Sequence, residues 1–130
     1  MVKYHLKYKR IKQETLKTIQ DHWEKGLCKE EETHKREVIL GLLLKLCEIY
    51  SIKKCPHLVV LKDFNDGGMY VSPLNLIVMN KYSITTFLHE FKHFKDVYEG
   101  KQSSEENARG WSLSILFQVN PRYLKRMVEE

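Results

Sequence analysis

The sequence lacks what a stapled, repetitive or linker-joined protein needs. Its three cysteines, Cys28, Cys47 and Cys55, are odd in number and none forms a C-x-x-C pair, which argues against a disulfide framework or a cysteine zinc knuckle. Cys47 lies inside an apolar pattern and is expected in the core as a small hydrophobe. There are only three prolines and six glycines, and they form no linker. With no repeat or low-complexity tract either, residues 1–130 read as one domain, long enough to bury a single core. The longest apolar run, 38–44, is far too short to cross a bilayer. The basic amino terminus has no apolar stretch of the kind a signal peptide carries. The expectation is a soluble, cytoplasmic protein with no membrane partner.

Charge is the first positive feature. The formal net charge is +5, and Lys3, Lys7, Lys9, Arg10, Lys12 and Lys17 crowd the first seventeen residues. No nucleic-acid motif accompanies the cluster, so it reads as a solvated face and no nucleic-acid partner is expected.

The chain opens helical. Residues 10–25 carry Leu16, Ile19 and Trp23 on one stripe, with Gly26 as a stop. Residues 30–50 repeat apolar side chains at helical spacing behind an acidic run that suits the positive end of the helix dipole. The pattern then becomes strand-like. Residues 57–62 read as a buried strand, the Asp66-Gly67 turn predicts a hairpin into 69–72, and 74–79 is a third strand. Ser83 is a candidate N-cap for a helix to about residue 98, closed by Gly100. Ser103 or Ser104 caps another helix to about residue 118, and Pro121 opens a short last one. Helices, three short strands and then helices make an α+β arrangement.

The chemistry-bearing segment is His89-Glu90-Phe91-Lys92-His93, an H-E-x-x-H motif. Helical residues four apart point the same way, so His89 and His93 can reach one metal ion. Two imidazoles with an open position suit Zn2+, which lowers the pKa of a bound water toward 7. Glu90, about 100° around the helix from His89, can serve as general base without ligating the metal. Random placement would produce the motif somewhere in such a composition about 3 times in 100, so its setting has to decide. Phe87, Phe91, Phe94 and Tyr98 form an apolar stripe opposite the histidines, which anchors one face of the helix and leaves the other to a cleft. Asp96 is a candidate acceptor for orienting a ligand histidine, and reads equally well as a solvated helix residue. Tyr82, Tyr98 and Tyr123 are candidate phenols for stabilising an oxyanion.

No histidine follows His93, which excludes an H-E-x-x-H-x-x-G-x-x-H site; upstream histidines stay open as third ligand, but the helix after the turn is better placed to supply one. A turn at Gly100 would fold the next helix back, bringing Glu105 or Glu106 toward the histidines. Over about 68–112 the chain resembles minimal gluzincin-type metallopeptidases, including the ImmA/IrrE-like group, through Gly68-Met69-Tyr70, the strand after it, the H-E-x-x-H helix, Glu105-Glu106-Asn107-Ala108 and Trp111-Ser112. The resemblance implies a zincin-like fold with a small three-stranded sheet packed on the active-site helix. It also implies Glu105 as third ligand, three residues before Ala108. Finally, it implies an edge strand of Met69, Tyr70 and Val71 that binds an extended peptide by main-chain hydrogen bonds. The short gap between His93 and Glu105, and Lys92 where the family usually has glycine, keep Glu106 as the alternative. The expected activity is zinc-dependent hydrolysis of peptide bonds in a peptide or protein substrate, and the rival is a zincin-like regulatory or protein-interaction module.

Overall fold

The motif helix has a defined start, a buried stripe and a defined stop. In the computed structural model, which describes residues 11–23 and 32–122, α3 spans Ile84–Tyr98. Ser83 caps it, its side chain accepting a hydrogen bond from the Thr86 N–H. At the other end Gly100 takes φ 72°, its N–H donates to the Val97 carbonyl, and the Lys101 N–H donates to the Asp96 carbonyl at 2.7 Å. That pair of bonds is a Schellman motif, and glycine fits the left-handed position without a Cβ clash. The chain is thereby turned back into α4, Glu105–Val119, where the Ser104 hydroxyl accepts from one of the free N–H groups, that of Asn107. Among the described residues two helices precede the sheet, α1 (Gln13–His22) and α2 (Glu32–Ile49). Residues 121–122 are helical, and the rest of the expected last helix lies outside the described residues.

Three four-residue strands, β1 (His57–Val60), β2 (Gly68–Val71) and β3 (Leu76–Met79), form one mixed sheet in the order β1-β3-β2. β3 runs parallel to β1 and antiparallel to β2. The expected hairpin across Asp66-Gly67 is therefore wrong: β2 pairs with β3, and β3 separates it from β1. Gly67 does adopt φ 78°, but as the entry into β2. The tight connection instead follows β2, where Ser72–Leu74 form one turn of 3-10 helix and Asn75 reverses the chain at φ 49°. The Asn75 side chain fixes that turn, accepting from the Tyr70 hydroxyl and donating to the Cys55 carbonyl. Leu74, expected in the third strand, stands outside it and is exposed. β3 takes the centre because Ile77, Val78 and Met79 are the strand residues that bury most completely, and a central strand satisfies its backbone on both sides.

The core lies between the sheet, α3 and the other helices. Phe87, Leu88 and Phe91 are fully buried, as are Ile39, Leu42 and Leu46 of α2 and Ile115 and Leu116 of α4. Phe91 stacks on Trp111 at 6.1 Å between centroids, and Phe94 meets the Tyr70 ring edge-on at 5.6 Å. Tyr98 departs from the expected stripe. It is exposed, and its hydroxyl accepts from the Lys53 N–H. Cys47 is buried as expected, and burial, followed by a hydrogen bond with Cys55, pushes its thiol pKa up. No helix among the described residues is long and apolar enough to cross a membrane. Of the basic amino-terminal cluster, Lys3, Lys7, Lys9 and Arg10 lie outside the described residues, as do Gly26, Cys28 and Tyr123; Lys12 and Lys17 are exposed.

Candidate metal centre

α3 and α4 pack closely across the turn at Gly100, bringing the first turn of α4 against the middle of α3. His89 and His93, one helical turn apart, face Glu105 there. The Glu105 carboxylate spans both rings, with Oε2 2.9 Å from His89 Nε2 and Oε1 2.8 Å from His93 Nε2. The two Nε2 atoms lie 3.3 Å apart. Among the described residues, His89, His93 and Glu105 form a group whose donor atoms all lie within 4.8 Å of one another, close enough to hold a metal ion. Glu106, the alternative third ligand, is not part of it.

The donor set fits zinc. Tetrahedral bonds of about 2.05 Å place neighbouring donors about 3.3 Å apart, the separation the two imidazoles already have. The carboxylate sits closer than that and would need to withdraw by a few tenths of an ångström. Glu105 can do so, because its side chain is 71% exposed while the histidine side chains are 19% and 14% exposed. Two pKa shifts run in the direction ligation needs. Burial lowers the His89 pKa, with the positive charges of His93 and Arg109 acting in the same direction and Glu105 opposing. Partial burial pulls the Glu105 pKa up, but its hydrogen bond from His89 and the two histidine charges outweigh this and hold it below the usual value. Neutral imidazole and ionised carboxylate are the forms a metal requires.

Glu90 stands apart from these ligands, 7% exposed, on the side of α3 that meets β2. Its carboxyl is pushed up to about 7, first by burial and then by the negative charge of Glu105, with a hydrogen bond from the Tyr70 backbone N–H acting against both. Gly68 allows this approach. A Cβ there would stand 2.5 Å from Thr86 Cγ2 and 3.1 Å from Glu90 Cγ and Oε2, so any larger residue would push β2 off the helix.

β2 is an edge strand, as expected. The Asn80 N–H donates to the Gly67 carbonyl at 2.8 Å, in register with the ladder to β3. Hydrogen-bonded pairs alternate in an antiparallel ladder, so Met69 and Val71 bond to β3 while Gly68 and Tyr70 turn their backbone groups to the open edge. At that edge the Tyr70 N–H meets Glu90. The Met69 side chain is exposed, the Tyr70 ring packs inward on Phe94, and Val71 is half-buried.

Asp96 does not orient a histidine. Buried at 2% exposure, it accepts from Lys92 Nζ at 2.7 Å. The group at His93 Nδ1 is the Ser103 hydroxyl, which sequence reading treats only as a possible helix cap. The Ser103-Ser104 pair carried the signal, since one serine caps α4 and the other is left for a different task. Arg109 also escapes a motif search, although its position four residues after Glu105 puts both on one face of α4. Tyr82 is half-buried against the core, and Tyr98 is engaged at the far end of α3. No protein-family model matches the chain, and comparison with curated proteins and with solved structures gives no match.

Proposed function

We propose that the chain is a small zinc-dependent metallopeptidase of the gluzincin kind, with His89, His93 and Glu105 as ligands and Glu90 as general base. The observation that carries this reading is the convergence within 4.8 Å of two donors from α3 and one from α4, with Glu90, next to His89, buried at the edge of β2. Two imidazoles and one carboxylate are a donor set that catalytic zinc favours over magnesium or calcium. Zinc bound there would supply the Lewis acid that polarises a peptide carbonyl and acidifies water.

The residues of the chain then divide the work. Glu90, with a pKa near neutrality, is poised to take a proton from the attacking water and return it to the leaving amine. The outward backbone groups of Gly68 and the Tyr70 carbonyl, the Tyr70 N–H being held by Glu90, would offer an extended peptide main-chain partners, so Met69, Tyr70 and Val71 would lie along the substrate. Arg109, on the Glu105 face of α4 and close enough for its charge to act on His89, would stabilise the negative charge that develops on the scissile carbonyl oxygen. Ser103 would hold the His93 ring in its ligating orientation. So small a chain leaves only shallow walls around the site, which suits an extended or unfolded segment of a protein. The free thiols of Cys47 and Cys55 suit a reducing cytoplasm.

The test is to incubate the zinc-loaded protein with unfolded protein substrates and analyse the products by mass spectrometry, beside a Glu90→Ala variant. Cleavage by the native chain, lost in the variant while zinc is retained, is expected. A zinc-loaded native chain that cleaves nothing, or a variant that cleaves as well, would overturn the enzymatic reading and favour a protein-interaction module.

A further inference from the structure

Beside the metal centre lies a cavity of about 460 Å³ that the peptidase reading leaves unused. Four lysines line it, Lys12, Lys92, Lys95 and Lys101, beside Tyr50 and Trp111. Lys95 follows His93 by two residues and Asn107, also in the lining, follows Glu105 by two. Two residues are about 200° of helical rotation, but Lys92 and Asp96, also in the lining, stand closer to the histidine side of α3, so the cavity lies beside the metal centre and takes none of its ligands into its lining.

Its charges do not balance. Lys92 Nζ bonds to Asp96 at 2.7 Å. Lys95 and Lys101 share one oxygen of Glu99, at 3.0 and 3.3 Å. Lys12 has no carboxylate partner among the described residues; its ammonium sits 4.9 Å from the centre of the Tyr50 ring, which Lys95 approaches at 4.6 Å. Four ammonium groups thus face two carboxylates, a surplus of two positive charges gathered at a recess. Lys95 is itself 8% exposed, so this cationic end is built into the fold and is more than a solvated fringe.

We propose that the cavity is a binding site for a small phosphoanion, a phosphate monoester or pyrophosphate group. Ammonium groups bind phosphate as mobile point charges with three donors each, and the side-chain amides of Gln102 and Asn107 add neutral donors at the wall. A dianion matches the surplus of two charges, whereas a single carboxylate would leave one uncompensated. The volume falls in the range of small-molecule sites, about 300–1,000 Å³, and an open recess of this size admits a small anion from solvent.

The experiment is calorimetric titration of inorganic pyrophosphate into the full chain carrying His89→Ala, freed of metal, so that the anion cannot report on zinc. One saturable site per chain is expected, weakening as salt rises. Adding Lys12→Gln and Lys101→Gln, both at exposed positions, should weaken binding at least tenfold with an unchanged thermal melt, while arginine at the same two positions should preserve it. Absence of saturable binding in the His89→Ala chain, or equal affinity in the double glutamine variant, would overturn the proposal. Because this chain lacks a complete metal site, neither outcome depends on the peptidase reading.

Discussion

Replacing Glu90 with glutamine should make the metal-free protein more stable while removing its activity, and the size of the gain follows from the carboxyl's surroundings. In the unfolded chain the group titrates near 4.5, and burial beside Gly68 raises it to about 7 in the folded one. Between those values the folded chain holds the proton that the unfolded chain has released. Stability contributed by this group is therefore complete below pH 4.5 and declines as pH rises through 7. The full difference corresponds to about 3 kcal/mol, and solvent reaching the edge of β2 reduces it to about 1–2 kcal/mol. Glutamine keeps the shape and an acceptor for the Tyr70 N–H, and it carries no charge to desolvate. Urea unfolding of the metal-free proteins should show Glu90→Gln ahead by about 1–2 kcal/mol at pH 8 and by roughly a quarter of that at pH 5. No gain at pH 8, or an equal gain at both pH values, would refute the burial and charge argument for this residue.

Three further substitutions probe how the site is held. Gly68→Ala should cost about 1–3 kcal/mol in a denaturant melt because its Cβ meets Thr86 Cγ2 at 2.5 Å, and Thr86→Ser, which removes that methyl, should recover most of the loss. Ser103→Ala should leave the melt of the metal-free protein nearly unchanged but weaken zinc about tenfold in competition with a chromogenic chelator, since His93 loses the partner at Nδ1. Arg109→Ala should lower kcat by about a hundredfold with zinc affinity retained, as measured on a cleaved peptide, and Arg109→Lys should restore part of the rate.

Local chemistry made much of α3 legible in advance. The Ser83 cap, the Gly100 stop and the Phe87, Phe91, Phe94 stripe each have a short-range cause, and the helix follows them to within a residue. The same holds for the fold back onto α4, but its local signals left Glu105 and Glu106 open, and it is the structure that brings Glu105 to the histidines. Strand order was not legible in this way. An Asp-Gly turn is a local signal for a hairpin, but pairing is decided by which strand buries best, and β3 displaced β2 from β1. Asp96 misled for a related reason. Its spacing from His93 suits an orienting role, but Lys92 at i−4 is the nearer partner on the helix surface. Gly68 shows the limit most clearly, since the need for glycine there arises from Thr86 and Glu90 across the interface and from nothing in its own neighbourhood along the chain.

The measurement that tests the central claim most directly is the metal content of the purified chain, beside His89→Ala and Glu105→Ala. About one zinc per native chain, lost or greatly weakened in both variants while Glu106→Ala keeps it, is the result this account predicts. A native chain that takes up no zinc at neutral pH, or variants that hold it as well as the native chain, would contradict it.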